Sequence, residues 1–583
     1  MKKSLLFSAV LAGLMLGSCS SSDDLAGGNT SANQDGKGYV AFTINLPSQS
    51  GSSSRASNST NDQFNDGMAT EYAVKDATLI LFNGGGTTEG ESSFVEAHKL
   101  STTPWTNQNP ADDNITTQSK KIVQKVTKSI TNAKALVILN NNNTLTVGDD
   151  GTLKVNGTDF TGTYADFLAL ADATLGKTLT ADGFYMANAP LANGQGGSAA
   201  PATGTTVTTL TDLKGKIYDT EAEAKLGTPA EVYVERGVVK VTLNKGEVAK
   251  ADNGTTDKVD FDISGWAIDN TNPTTYLVRS TKGFTDWMGY ANANCTTNPY
   301  RFVGHTQIAS GLYRTYFAKD MNYDTDATGL QRVAEADFKD AYGDLNPQYC
   351  FENTFNVEHQ NEDQTTLVAI KAKLNSGKDF YIVGGDQTKL FDKTQLEKLI
   401  KNKFLSVEEG WVKDNAKNET TSIGEDDLTL TFDKDAAGEI TLTGVTVKPE
   451  KLKDSPADLP ANCLDDVKAA VGSVVCYKNG VSYYTVRIKH FGDDLTPWTN
   501  GELDVKPGSV YPGDTKTAEN NWLGRYGVLR NNWYDITVED VKGLGSATVP
   551  ELTGTTDDEL ESYIAVRINV LSWAKRTQGA ILH

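Results

Sequence analysis

Short segments in which apolar and polar residues alternate constrain the fold of this chain more than any other feature of its sequence. The clearest is residues 39–46, where Val40, Phe42, Ile44 and Leu46 point one way and the residues between them point the other. A period of two is that of a half-buried β-strand. Similar segments recur along the 583 residues, separated by turns rich in Asp, Asn, Thr and Gly. Many short strands with polar turns predict β-sandwiches, with few and short helices.

The predicted strands run from one end of the chain to the other. They are residues 39–46, 77–82, 135–139, 231–243, 261–266, 275–278, 380–383, 428–432, 440–447, 474–477, 481–490, 533–541 and 562–573. Residues 231–243 read as one long alternating strand, and we place a domain boundary just after it, near residue 248. The predicted domains are therefore residues 56–248 and 249–583.

Three local patterns add detail to this outline. Residues 164–173 contain few turn residues and favour a short helix. A second helix is predicted over residues 395–403, because Thr394 and Glu397 have the spacing of a capping box. Asn479-Gly480 lies between two apolar segments, which is a strong hairpin signal.

The first 19 residues have the order of a bacterial export signal. Lys2 and Lys3 precede an apolar run over residues 5–16, and Gly17, Ser18 and Cys19 follow. The run is about a dozen residues, whereas a membrane-spanning helix needs roughly 20. We therefore predict a signal peptide over residues 1–18. A cysteine after Leu-Gly-Ser is similar to a lipoprotein box, which implies that Cys19 is acylated; a plain secretory signal is the alternative.

The composition is acidic, with 75 Asp and Glu against 54 Lys and Arg and a formal net charge of −21. A negative surface repels nucleic acid and favours solubility outside the cell, so we expect no nucleic-acid partner. No HExxH, GxSxG, GxxxxGK[ST] or GxGxxG motif is present, and the five histidines do not cluster in sequence. The sequence predicts no catalytic residue, no cofactor and no metal site.

Cysteines and acidic turns leave two questions open. Disulfides form outside the cell, and Cys463 and Cys476 are the closest pair among Cys295, Cys350, Cys463 and Cys476; buried thiols are at least as well supported. Residues 433–438 and 324–329 resemble the start of a calcium loop. Only the second has a glutamate, Glu335, at its twelfth position. Arg332 at its ninth position favours an Asp-rich turn instead.

The two ends of the chain carry the same pattern. Ile564, Val566, Ile568 and Val570 form a second set of four apolar residues at period two. Two such strands could fill the same groove. Arg55 follows the first strand within a Ser-rich loop, so a cut there would leave Ala56 as the new N-terminus and free the first strand. The terminal strand of another copy could then complete the sheet by β-strand addition, although alternating strands are also ordinary in any sandwich.

Several segments together resemble the fimbrillins of Bacteroidales, the subunits of type V pili, and most closely the shaft protein of the minor fimbriae. They are the lipoprotein box, Arg55 in its Ser-rich loop, and residues 232–243, 528–545 and 563–583. The strongest are Arg530-Asn531-Asn532-x-Tyr534-Asp535-Ile536 and the terminal strand. Residues 250–470 resemble the family only in their general pattern and carry no specific motif of it.

The resemblance implies two transthyretin-like β-sandwich domains and export as a lipoprotein. It implies acylation at Cys19, cleavage between Arg55 and Ala56 by an Arg-specific protease, and loss of the propeptide, residues 19–55. Val40, Phe42, Ile44 and Leu46 would form the displaced strand. The terminal strand, residues 562–573, would be the donor in a homopolymer. Expected partners are other copies of this chain, fimbrial anchor and tip subunits, and host or bacterial surface receptors, with the membrane contacted only by the lipidated precursor.

Other functions remain open at this stage. A tip or anchor subunit is one, because the chain is long for the family and is expected to carry loop insertions. A monomeric glycan-binding lipoprotein that uses exposed aromatics such as Trp105 or Trp498 is another. A secreted hydrolase is disfavoured because no catalytic constellation is present.

Overall fold

The computed structural model covers both halves of the chain. It describes residues 36–45, 68, 71, 73–101, 106–108, 117–172, 183–189, 191–192, 207–280, 316–322, 329–354, 361–418, 420, 422–434, 440–454, 457–488, 527–552, 554, 568–572 and 574–582.

Strands dominate the described residues. The first group is β1 Lys37–Asn45, β2 Ala77–Asn83, β3 Ser93–Lys99, β4 Thr106–Gln108, β5 Thr117–Thr127, β6 Ala133–Leu139, β7 Leu145–Val147, β8 Leu153–Val155, β9 Thr158–Asp159, β10 Ala171–Asp172, β11 Met186–Asn188, β12 Leu191–Ala192, β13 Val207–Thr208, β14 Thr211–Asp212, β15 Ile217–Tyr218 and β16 Ala230–Arg236.

The second group follows without a break. It is β17 Val238–Lys245, β18 Lys250–Ala251, β19 Val259–Asp269, β20 Thr275–Ser280, β21 Tyr316–Ala318, β22 Gln348–Phe351, β23 Leu367–Leu374, β24 Phe380–Val383, β25 Leu428–Lys434, β26 Ile440–Val447, β27 Val474–Tyr477, β28 Val481–Arg487, β29 Asn532–Val541, β30 Ile568–Ser572 and β31 Ala574–Leu582. The α-helices are α1 Tyr164–Leu168, α2 Glu221–Leu226, α3 Lys393–Val407, α4 Glu409–Asn415 and α5 Cys463–Val471. The predicted all-β fold with a few short helices is confirmed.

One large sheet organises the first half of the chain. Its strand order is β3-β2-β6-β11-β16-β1-β5-β4, with β14 and β15 added beside β6 and β1. Apolar residues of β1, β5 and β16 share one core with those of β2 and β6. Because these strands lie in different parts of one sheet, the sheet must curve over that core, and its two parts form the layers of a sandwich.

The opposite face of β2 and β6 is also buried. Ile80, Phe82, Leu136 and Ile138 pack against α1, the small β7-β8-β9 sheet and residues of β20 and β21. This explains why residues 77–82 are a continuous apolar run, as the sequence indicates. It also places a segment of the second half against the first sheet.

The predicted long strand over residues 231–243 is wrong. It is two strands in two different sheets: β16 pairs with β1, whereas β17 pairs with β22 and β29. The change occurs at Gly237, where a β-carbon would lie 3.2 Å from the ring of Phe317. Alternation alone could not reveal this change, because both strands keep the same period. The boundary predicted near residue 248 thus falls after β17, which already lies in the second group of sheets.

Two sheets enclose the main core of the second half. One has the order β22-β17-β29-β30-β31 and the other the order β18-β19-β23-β28. Their apolar residues, including Val239, Trp266, Ile370, Tyr484 and Ile536, form one buried cluster. The second half is therefore also a β-sandwich.

The hairpin predicted at Asn479-Gly480 is wrong. Strand β27 pairs with β24 and strand β28 pairs with β23, so the two strands beside this turn do not pair with each other. Asn479 and Gly480 have φ of 54° and 64° and form a corner in the chain. A β-carbon on Gly480 would lie 2.1 Å from the carbonyl oxygen of Leu374. The positive φ was readable from Asn-Gly, but the partner strands were not.

Residues between β24 and β27 form an added layer in which α3, α5 and the β25–β26 hairpin share an apolar core. The second predicted helix is confirmed as α3, although it begins earlier than expected. Its cap is Asp392, which accepts a hydrogen bond from the backbone N–H of Gln395 at 2.8 Å, rather than Thr394. The first predicted helix is shorter than expected, because α1 ends at Leu168 and β10 follows.

Cys350, Cys463 and Cys476 are buried free thiols, and Cys295 lies outside the described residues. No helix in the described part of the chain is long and apolar enough to cross a membrane.

Candidate functional site: strand β1 and the terminal strands

Strand β1 lies inside the first sheet rather than at its edge. All nine of its residues are in antiparallel register with β5, from Lys37 opposite Thr127 to Asn45 opposite Ser119. On its other side, Phe42 to Asn45 run parallel to β16 and Tyr39 and Val40 pair with β15. Both backbone edges of β1 are therefore used.

The inner face of β1 forms part of the first core. Val40, Phe42 and Ile44 are each 0% exposed, and they pack with Ile122 of β5 and Val232 of β16. Burying a large apolar side chain stabilises a fold by roughly 1.5–3 kcal/mol, so these three residues contribute substantially to the first sandwich. Leu46, the fourth residue of the predicted displaced strand, lies outside the described residues.

The outer face of β1 is only partly open. Ala41 is 0% exposed, whereas Tyr39 and Thr43 are half-buried. Helix α2 lies over this face, and Lys121 of β5 donates from its Nζ to the carbonyl oxygens of Lys225 and Gly227 at the end of that helix. A strand in this place needs a small residue at position 41.

A buried carboxylate holds the start of β1. The Lys37 Nζ lies 3.3 Å from Glu96 Oε2 of β3 and donates to the Thr127 hydroxyl at 2.9 Å. Glu96 also accepts from the backbone N–H and the hydroxyl of Thr127 and lies 3.3 Å from His98. Burial opposes the charged form of Glu96, but the hydrogen bonds from His98 and Thr127 outweigh it and lower the pKa to about 2.

The terminal strands lie at one end of the β22-β17-β29-β30-β31 sheet. Ile568 to Leu571 of β30 are antiparallel to β29, and β31 turns back along β30 and runs parallel to the later part of β29. Ile568 and Val570 of the predicted donor strand are thus in β30, and Ile564 and Val566 lie outside the described residues. The structure does not bring the terminal strands next to β1 within one chain, because they belong to different sheets.

The motif before β29 joins the two halves of the chain. Arg530 donates from Nε to Glu235 of β16 and from Nη1 to Glu352, both at 2.7 Å. Glu235 also forms an ion pair with Arg279. Asn531 has a φ of 58° and makes the turn into β29. The Arg-Asn-Asn sequence therefore supplies two partly buried ion pairs and a turn where the sheets meet.

A second ion pair at the same junction involves the first described residues after the Ser-rich loop. Glu71 Oε1 lies 2.8 Å from Lys240 Nζ, with both side chains 1% exposed. Tyr349 donates its hydroxyl to Glu71 at 2.5 Å, and Lys240 lies 3.9 Å above the ring centre of Trp533. Burial lowers the pKa of Lys240 although Glu71 opposes the shift. Sequence reasoning missed Glu71, because a single glutamate in an acidic chain gives no signal.

Neither predicted acidic turn gathers metal ligands in the part of the chain that the structure describes. Residues 323–328 lie outside it. Arg332 forms a two-pronged ion pair with Asp269, and Glu335 binds Lys371 and accepts the Tyr483 hydroxyl. These contacts occupy the only described glutamate of the predicted calcium loop.

Cys19, Arg55 and Ala56 also lie outside the described residues, so their roles stay predictions. No curated protein matches the chain in sequence. Structures similar to the chain include a fimbrilin from Porphyromonas gingivalis, which is 12% identical over 93% of this chain and 98% of that one, with a TM-score of 0.33.

Two further structures are similar over 57% of this chain. A fimbrial assembly protein from Parabacteroides distasonis is 10% identical over 96% of its own length, with a TM-score of 0.25. The tip fimbrial protein Mfa3 from Porphyromonas gingivalis, with C-terminal truncation, is 11% identical over 77% of its length, with a TM-score of 0.24.

A family model matches the C-terminal part of the chain. It is described as the C-terminal part of fimbrillin, the major fimbrial subunit protein type IV, and it matches residues 510–579. This span contains the Arg530 motif, β29, β30 and part of β31. Residues 510–579 are thus similar to the C-terminal part of fimbrillin, and the resemblance to the fimbrillins is confirmed for this part of the chain.

Proposed function

We propose that the chain is the shaft subunit of a surface fimbrium, made as a lipidated precursor and polymerised by strand exchange between copies. The precursor is acylated at Cys19 and cleaved after Arg55, and the terminal strand of one copy replaces β1 of the next. The observation that carries this proposal is the place of β1. It fills the middle of a sheet, yet it precedes Arg55 in the chain, so a cut after Arg55 severs its only covalent link to that sheet.

Loss of β1 would open a groove with two unpaired edges. Strand β5 would lose an antiparallel partner and β16 a parallel one. The core around Ile122 and Val232 would lose Val40, Phe42 and Ile44. Unpaired edges beside exposed apolar residues are a strong template for another strand, and a terminal strand with four apolar residues at period two meets that need.

The junction would keep the matured N-terminus in place. Glu71 lies after the cut and remains paired with Lys240 and Tyr349. Cleavage after Arg55 would thus remove β1 without removing an ion pair from the junction between the halves.

A joint of this kind is head-to-tail. Each copy offers one groove and one terminal strand, so repeated joining gives a filament where it does not close into a ring. The lipid at Cys19 would then serve delivery of the precursor to the outer membrane and leave with the propeptide. Tip and anchor subunits at the two ends, an Arg-specific protease and surface receptors complete the proposed partners.

Maturation is tested with the variant Arg55→Ala. Protein from the cell surface should begin at Ala56 by N-terminal sequencing and should give an SDS-resistant ladder on gels. Arg55→Ala should abolish both, whereas the neighbouring control Ser54→Ala should retain both. A ladder formed by Arg55→Ala would contradict cleavage as the trigger.

Donation is tested by deleting residues 563–583, which should abolish the ladder. Because β30 and β31 also pair with β29 in their own sheet, circular dichroism and thermal unfolding must show that the truncated monomer is folded. Persistence of the ladder in a folded truncated protein would exclude the terminal strand as the donor.

A further inference from the structure

Residues 563–570, in the predicted terminal strand, can be aligned with residues 39–46 without a gap. Residues 39–46 read YVAFTINL and residues 563–570 read YIAVRINV. Half of the eight positions are identical and the other inward positions stay apolar. The identical pairs are Tyr39 and Tyr563, Ala41 and Ala565, Ile44 and Ile568, and Asn45 and Asn569.

The surroundings of β1 explain which positions are shared. Ala41 faces outward yet is 0% exposed, so a larger side chain would not fit there. Tyr39 is in register with Tyr218 of β15. Thr43 is half-buried with Lys121 and Glu231 beside it, and it is the one outward position where the terminal strand carries a larger residue, Arg567. On the outer face, the sequence differs only where the groove has room.

From this agreement we propose a single register and direction for the joint between two copies. Tyr563 of the incoming strand takes the place of Tyr39, and the strand runs in the same direction as β1. It is then antiparallel to β5 and parallel to β16. This inference rests on the proposed function and specifies the partner of the groove, which is residues 563–570 of a second copy.

Other registers bring the wrong residue to position 41. A shift of two residues one way places Arg567 there, and a shift the other way places Tyr563 there. A shift of one residue turns the apolar set away from the core. A reversed strand that puts Val566 and Ile568 at positions 44 and 42 places Asn569 at position 41. A reversed strand that puts Ala565 at position 41 places Ser562 at the buried position of Ile44. Only the proposed register combines an alanine at position 41 with four inward apolar residues.

The register also sets a contact between subunits. Arg567 takes the place of Thr43, between Lys121 and Glu231. Lys121 is held by the carbonyl oxygens of Lys225 and Gly227 at the end of α2. Arg567 is therefore placed to pair with Glu231 across the joint, because opposite charges on neighbouring strands attract.

The likeness does not extend to the first two residues of β1, Lys37 and Gly38. Position 37 corresponds to Glu561, so the incoming strand does not remake the ion pair between Lys37 and Glu96. The joint therefore begins at Tyr563 and the acidic residues before it lie beyond the groove entrance.

Cysteine cross-linking tests the register directly. In the proposed arrangement Asn569 lies opposite Ser119 of the next copy, where Asn45 lies in the precursor, and in the reversed arrangement it lies opposite Val123. We expect the full chain carrying Asn569→Cys and Ser119→Cys, cleaved after Arg55 and oxidised, to give covalent dimers and longer products. Asn569→Cys with Val123→Cys should not, and each single variant controls for the natural cysteines.

The results of this experiment distinguish a wrong register from a wrong function. A noncovalent ladder with cross-linking through residue 123, or through neither residue, would overturn the register and leave the proposed function standing. Absence of any ladder from the cleaved parent protein would overturn the proposed function and this inference with it.

A charge exchange provides an independent measurement of the Arg567 contact. Arg567→Glu or Glu231→Arg alone should slow polymerisation roughly 1.5-fold to fivefold, the range that cross-strand charge pairs give. The two changes together should restore most of the parent rate. Equal losses in the single and double variants would show that residues 567 and 231 do not meet.

Discussion

Residues 563–570, the last three of which lie in β30, resemble β1 in sequence, but β1 and the terminal strands β30 and β31 have different places in their sheets. Strand β1 has a partner on each side, and its whole length is in register with β5. Strand β30 pairs with β29 through Ile568–Leu571 only, and β31 beyond it closes the sheet. The first strand is built into the middle of a sheet and the last strands are added to the side of one.

This difference determines which strand can separate from its sheet without a further event. Withdrawal of β1 splits a sheet and opens two edges over a core, whereas withdrawal of β30 and β31 opens one edge. A central strand held in this way needs a further event to release it, and a strand at the side does not. In the proposed assembly that event is the cut after Arg55, so the protease and not thermal opening would set when the groove becomes available.

The largest expected effect separates the precursor from the mature polymer. Phe42→Ala removes a fully buried ring from β1, and the uncleaved precursor should lose roughly 3–5 kcal/mol of unfolding free energy. The mature polymer, which lacks β1, should be unchanged. Urea unfolding of the precursor and heating of the polymer in SDS measure the two cases.

Thr43→Ala is the matched control for this prediction. Thr43 is the half-buried neighbour on the outer face of the same strand, and its replacement should change stability by less than about 0.5 kcal/mol. Equal losses of unfolding free energy in Phe42→Ala and Thr43→Ala would show that the inner face of β1 does not dominate the stabilisation of the precursor by this strand.

A smaller effect concerns pH and distinguishes two buried carboxyl groups. Glu96 beside β1 has its pKa lowered from 4.5 to about 2, so its contribution is present above pH 4.5 and is lost as the pH falls toward 2. The size is about 3 kcal/mol. Asp320, near the loops of the second half, has its pKa raised by burial from 3.8 to about 7. Its contribution is present below pH 3.8 and is lost as the pH rises through 7.

Thermal unfolding of the precursor across pH 2–9 tests both signs. Glu96→Gln should flatten the rise in stability between pH 2 and 4.5 and leave the profile above pH 5 unchanged. Asp320→Asn should flatten the fall in stability between pH 3.8 and 7 and leave the profile below pH 3 unchanged. Profiles of the two variants that both kept the parent shape would contradict the placement of these charges.

The smallest expected effect sharpens the comparison between β1 and its proposed replacement. Val566 takes the place of Phe42 in the proposed register and is smaller, so the incoming strand fills the groove less completely. Val566→Phe should stabilise the joint by about 1–2 kcal/mol, seen as a higher temperature for dissociation of the ladder in SDS. Uncleaved precursor, in which Phe42 fills the groove, serves as the control. A lower dissociation temperature would mean that Val566 does not occupy this position.

Local periodicity predicted much of the fold. The strands at residues 77–82, 135–139, 380–383, 440–447 and 533–541 are present as β2, β6, β24, β26 and β29. The prediction of a single strand over residues 231–243 was wrong because the change of sheet at Gly237 leaves the alternation intact. The prediction of a hairpin at Asn479-Gly480 was wrong because a positive φ indicates a corner but does not specify which strands pair.

The candidate site was predicted in part. Val40, Phe42 and Ile44 were identified by pattern, and the structure places them in the first core. Glu71, Glu96 and Lys240 gave no signal, because their importance depends on burial and on partners that are distant in sequence.

By itself the sequence determined the all-β class, the inward face of the first strand and its likeness to the last. These depend on neighbours one to eight residues apart, which the chain order specifies. Only the tertiary structure decided that β1 lies inside its sheet while β30 lies beside β29, and that Gly237 and Arg530 join the two halves. Strand order and buried ion pairs arise from contacts between residues up to hundreds of positions apart, and no local pattern records them.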